Sequence, residues 1–105
     1  MSHDTGLSQN DLEKILSVFA LHPQVSSVKI FGSRALGTYR NGSDIDLAIC
    51  GESINFNLML QISAALDDLN LPYSFDLVHL QELTNVDLKN HIEKFGTELL
   101  PLPKK

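Results

Sequence analysis

At 105 residues with 43% hydrophobic side chains, the chain is sized for one domain with a single buried core, and one domain over 1–105 is expected. A net charge of −5 argues against gripping a long nucleic-acid backbone, which relies on Lys and Arg to neutralise phosphates. A single cysteine, Cys50, excludes an internal disulfide, and its place at the end of an apolar run predicts a buried, inert thiol in a reducing compartment. The amino terminus lacks a basic segment leading into an uninterrupted apolar stretch. Glu13, Lys14 and Ser17 break the run from Leu12 to Leu21, so no export signal or membrane span is expected and the cytoplasm is the default.

In chain order, Ser8-Gln9-Asn10-Asp11 offers a cap and an acidic first turn, and Leu12, Ile15, Leu16 and Phe19 recur at helical spacing, predicting an amphipathic helix over about 8–22 that stops at His22-Pro23. Val25 to Phe31 is β-branched and apolar, a first strand, and Ser33 to Leu36 starts a short helix. Gly37 to Ser43 is rich in turn formers. A second strand follows at Ile45. The stripe of Leu58, Met59, Ile62, Ala65, Leu66 and Leu69 predicts a core helix ending before Leu71-Pro72, and Tyr73 to Val78 a third strand. Val86 to Phe95 reads as a helix stopped by Gly96, and Thr97 to Leu100 as a short edge strand before Pro101 and Pro103. The fold class is α/β (α+β), with a mixed sheet of three to four strands packed with helices. The first two strands are expected to pair antiparallel, which brings Gly32 and Ser33 beside Asp44.

Asp44-Ile45-Asp46-Leu47 carries the chemistry. On a strand alternate side chains share a face, so Asp44 and Asp46 point one way, about 6 to 7 Å apart at the backbone. Two carboxylates about 4 Å apart at an effective dielectric near 20 repel by about 4 kcal/mol. A shared proton would relieve this, but a hard divalent cation with oxygen ligands is the commoner solution, and Mg²⁺ takes one or two carboxylates plus substrate phosphates. Asp76, between Phe75 and Leu77 on the third strand, adds a third carboxylate. Three carboxylates on adjacent strands can hold two metal ions, Mg²⁺ first and Mn²⁺ as a substitute. Gly32 would let a phosphate approach the backbone, Ser33 would donate its hydroxyl and amide, and Arg34, with Arg40 from the loop, would add charge.

Phe31-Gly32-Ser33-Arg34-Ala35-Leu36-Gly37, followed by Gly42-Ser43-Asp44-Ile45-Asp46-Leu47, resembles the signature of the DNA polymerase β-like nucleotidyltransferase superfamily. More narrowly it is similar to the minimal nucleotidyltransferases, MNT, over about Val25 to Leu100; Leu36 stands where many relatives carry a second basic residue. The resemblance implies a nucleotidyltransferase fold and ATP as donor. It further implies a small helical HEPN partner, often a ribonuclease toxin to which the MNT chain is antitoxin and onto which AMP is transferred. Asp44 and Asp46 would hold the metal ion on the triphosphate, and both with Asp76 a second ion that activates a hydroxyl. Gly32, Ser33 and Arg34 would face the phosphates. Larger members append domains that present the acceptor, so a heteromeric partner is expected to supply it here, with Leu99 to Leu102 as a candidate contact.

Other motifs fall away. His3, His22, His79 and His91 have no metal-ligand spacing and read as surface or internally satisfied histidines, and no Gly-Lys-Ser/Thr phosphate loop occurs. Three functions remain open: an enzyme that nucleotidylates a protein hydroxyl, a binding module that neutralises its partner by occlusion around a vestigial nucleotide site, and transfer to a small molecule such as an aminoglycoside.

Overall fold

The computed structural model describes residues 6–37 and 44–100. Helix α1 (Gln9–Ala20) begins where the Ser8 hydroxyl accepts the Asp11 amide at 3.0 Å, satisfying one of the donors that a helix start leaves open. Its Ile15, Val18 and Phe19 are buried, at the spacing of one helical face. Strand β1 (Val25–Phe31) leads through Gly32 into the single turn α2 (Ser33–Leu36), which ends on Gly37 in the left-handed conformation. Strand β2 (Ile45–Gly51) is followed by α3 (Phe56–Asp67), started by the Asn55 side chain accepting the Leu58 amide at 2.8 Å. Strand β3 (Phe75–His79) runs into a 3₁₀ turn, Leu80–Glu82, and then come α4 (Val86–Phe95), capped by Asn85, and β4 (Thr97–Leu100).

The four strands lie in the order β3-β2-β1-β4. β1 pairs antiparallel with both β2 and β4, as expected, and β2 pairs parallel with β3. A parallel pair needs a crossover, and α3 supplies it. Strand periodicity sorts the side chains: Val28, Ile30, Ile45, Leu47 and Ile49 join α1 and α3 in the main core, with Leu58, Ile62 and Leu66 from α3. On the other face a smaller cluster of Phe31, Ala48 and Ile92 sits under α4, flanked by Val78, Leu80, Leu83 and Leu88. This face also carries Asp46 and Asp76.

Some expectations shift. β3 starts at Phe75 instead of Tyr73, because its ladder with β2 begins where β2 does, at Ile45; the Tyr73 hydroxyl donates to Asp11 at 3.3 Å. Asp44 precedes β2, which opens at Ile45 with its amide bonded to the Ser74 carbonyl at 2.8 Å. Cys50 is half-buried where a buried thiol is expected, since it points to the thinly covered second face. Leu99 packs against the chain's own main core, which gives that residue an internal role. Pro101 and Leu102, His3, Arg40 and the 38–43 part of the turn-rich loop lie outside the described residues.

Candidate active site

The site starts with Gly32, where β1 gives way to α2. Its φ of 73° and ψ of −149° belong to a region that side chains disfavour, and a Cβ there would run into the Asp46 carboxylate oxygen Oδ2. Glycine is therefore required twice, by the backbone conformation and by the close approach of the carboxylate. Asp46 faces Phe31 on one side and Asp76 on the other in the ladder register. Partners in a parallel pair share a face and lie about 4.8 Å apart across the strands, so Asp46 and Asp76 stand side by side. Asp44 sits just ahead of them on the approach to β2. Asp44 and Asp76 are exposed and Asp46 is half-buried.

This arrangement raises the Asp46 carboxyl above its ordinary 3.8, first through burial and then through the charges of Asp76 and Asp44. An anion disfavoured by its own neighbours attracts a cation. Three carboxylates, all hard oxygen donors, fit Mg²⁺ or Mn²⁺ and fit poorly with a softer ion, and the oxygen held against Gly32 shows that the turn is shaped around a carboxylate. Among the described residues no three acidic, histidine or cysteine side chains are already drawn together as a metal cage, so binding would have to gather the exposed pair towards Asp46.

The three loop residues go different ways. Gly32 and Ser33 are half-buried at the mouth of the turn. Arg34 is only 2% exposed, and its guanidinium lies 4.7 Å from the centre of the Tyr73 ring, so the side chain expected to add surface charge is folded under the turn. With Tyr73 in turn bonded to Asp11, Arg34 links α2 to α1. Behind the turn the Gly32 N–H donates to His91 Nε2 of α4 at 3.3 Å. His91 satisfies the expectation of a histidine with an internal partner, yet the partner's identity was hidden, because 59 residues separate the two. Beside Asp76 a cleft of about 540 Å³ opens between α3 and β3, walled by Phe56, Met59, Leu60 and Phe75, with His79 and Glu82 on its rim.

The family described as polymerase beta nucleotidyltransferase matches residues 13–102, nearly the whole chain. The chain belongs to this family. Among solved structures it is similar to a chain of a toxin–antitoxin complex with AMP-PNP, at 24% identity and a TM-score of 0.71 over 84% of this chain and 71% of that one. A mutant of the toxin–antitoxin pair MntA–HpeT gives 26% identity and a TM-score of 0.68, covering 88% of this chain and 71% of the other. A complex of a tri-AMPylated HEPN toxin with its MNT antitoxin from Shewanella oneidensis gives 21% and 0.67, covering 89% and 71%. No curated protein matches. The neighbours thus come from the MNT–HEPN group that the Gly-Ser and Asp-Ile-Asp motifs resemble. Among the described residues no helix is long and apolar enough to cross a membrane.

Proposed function

We propose that this chain, as a single nucleotidyltransferase domain in the cytoplasm, transfers a nucleoside monophosphate, AMP from ATP, to a hydroxyl group on a HEPN-type partner and so acts as its antitoxin. The observation that carries this reading is the side-by-side placement of Asp46 and Asp76, with Asp44 at the mouth and Gly32 pressed against the Asp46 carboxylate. The partner and the donor are supported by the AMP-PNP and AMPylated HEPN complexes among the structural neighbours.

Asp44, Asp46 and Asp76 would hold Mg²⁺. When bound, such ions neutralise phosphate charge and make an acceptor hydroxyl more acidic. The side chains perform the remaining tasks. Gly32, bare of a side chain, lets the β and γ phosphates close on the turn, and the Ser33 hydroxyl donates to them. Exposed Asp76 takes the proton of the acceptor hydroxyl as its oxygen bonds to the α-phosphorus. The bond from that phosphorus to its bridging oxygen breaks, and pyrophosphate leaves with the electron pair. Arg34, buried against Tyr73, contributes by holding the turn in place.

A second reading, a binding module that occludes its partner, is favoured by the burial of Arg34, which turns that charge away from the mouth of the site. The test is to incubate the protein with Mg²⁺, ATP and its copurifying HEPN partner and to take intact masses beside an Asp44→Asn, Asp46→Asn control. An AMP increment on the partner that is absent from the control supports transfer. A stable complex with no increment supports occlusion.

A further inference from the structure

His91 has no place in the chemistry set out above, yet it is tied to the centre of the site. Its Nε2 accepts the Gly32 N–H at 3.3 Å, and its ring is held between two aromatic neighbours. Phe31 meets it edge-on, with centroids 6.4 Å apart and planes at 76°, and Phe95, one turn further along α4, lies 5.4 Å away at 46°. These contacts limit ring rotation and point one nitrogen at one amide. That nitrogen can accept only in the tautomer that carries its hydrogen on Nδ1.

The bond fixes more than itself. The peptide it holds belongs to the residue at φ 73°, whose Cα lies against Asp46 Oδ2. A two-contact chain therefore runs from α4 through His91 and Gly32 to the carboxylate between Asp44 and Asp76. Packing of α4 has other anchors, because Ile92 is fully buried with Phe31 and Ala48 and Leu88 packs beside them. The bond also takes the Gly32 amide out of the set of donors for a phosphate, leaving that task to the next residue.

We infer that His91 is a positioning residue: by accepting the Gly32 N–H it holds the turn in the positive-φ conformation that seats the Asp46 carboxylate and shapes the place of the phosphates. The inference rests on the nucleotidyl-transfer reading of the site. Its consequence is that the geometry of the turn is set by α4, an element that carries none of the three carboxylates.

The test compares wild type with His91→Phe, which keeps the aromatic packing but has no acceptor, and His91→Gln, whose Oε1 can stand where Nε2 stood. Nitrogen NMR on the wild type reads the bond itself, as the Nδ1–H tautomer and a coupling across the N–H···N contact to Gly32. Calorimetry with AMP-PNP and Mg²⁺ reads its consequence. The expected result is the coupling in wild type, an affinity lower by about tenfold in His91→Phe, the size of one lost hydrogen bond, and substantial recovery in His91→Gln, with all three equally folded by circular dichroism. A missing coupling, or a folded His91→Phe that binds as wild type does, overturns the inference. Failure of the wild type to transfer AMP defeats the catalytic reading alone, because the order of the three affinities still decides the role of His91.

Discussion

On the sheet face covered by α1 and α3, Val28, Ile30, Ile45, Leu47 and Ile49 are all buried, whereas on the other face the sheet carries Asp46 and Asp76 beside a cluster that, among the described residues, has three buried members. The period of two in a strand lets one sequence serve both faces: Ile45 and Leu47 go inward while Asp46, between them, goes to the site. The first face supplies the hydrophobic stabilisation, and the second can afford three mutually repelling carboxylates because the first does. A folded scaffold and a destabilising site are thus separable by mutation.

The largest expected effect comes from breaking the second face alone. Asp44→Asn, Asp46→Asn should lower AMP transfer by more than about 100-fold, since even groups that only orient metal ligands cost 10- to 100-fold, and thermal melting should show no loss of stability. Breaking the first face reverses the pattern. Leu47→Ala, at a fully buried position, should cost about 2 to 5 kcal/mol in a denaturant titration, with AMP-PNP affinity of the folded fraction unchanged. Gly32→Ala lies between the two, because its Cβ meets Asp46 and its backbone is strained: about 1 to 3 kcal/mol of stability should be lost together with nucleotide affinity.

The smallest effect is on pH dependence. Asp46 is raised above 3.8 by burial and then by Asp76 and Asp44, so the native state holds its proton more tightly than the unfolded chain does. Its contribution therefore favours folding at low pH and is lost as pH rises from the unfolded value through the raised native one. Melting curves from acid to neutral pH should show Asp46→Asn gaining on wild type over that window. Added Mg²⁺ should narrow the gap at neutral pH by stabilising the wild type. A gap that does not change with pH would show that neither burial nor the neighbouring carboxylates raise Asp46.

Much of this division is legible in the sequence, for physical reasons. Val25–Phe31, Ser33–Leu36, Val86–Phe95 and Thr97–Leu100 fall where apolar periodicity and the flanking Gly and Pro residues place them. Asp46 and Asp76 face the same way because alternation with Ile45, Leu47, Phe75 and Leu77 dictates it. Contacts across the chain leave no such local mark. The seat of Arg34 on Tyr73 is hidden because a lone arginine beside a Gly-Ser turn reads as surface charge, and so is the bond from the Tyr73 hydroxyl to the distant Asp11. The His91–Gly32 bond is of the same kind, long-range and without a periodic signal. The 3₁₀ turn Leu80–Glu82 is too short to have one.

The central claim is that Asp44, Asp46 and Asp76 together form a divalent-cation site for a nucleotide. Titration of the protein with Mn²⁺ in the presence of AMP-PNP, followed by electron paramagnetic resonance of the free ion, tests it most directly. The account predicts saturable uptake of Mn²⁺ by the protein–nucleotide complex that is lost in Asp46→Asn and weakened in Asp76→Asn. Uptake that is the same in both variants as in wild type, or no greater than that of AMP-PNP alone, would contradict it.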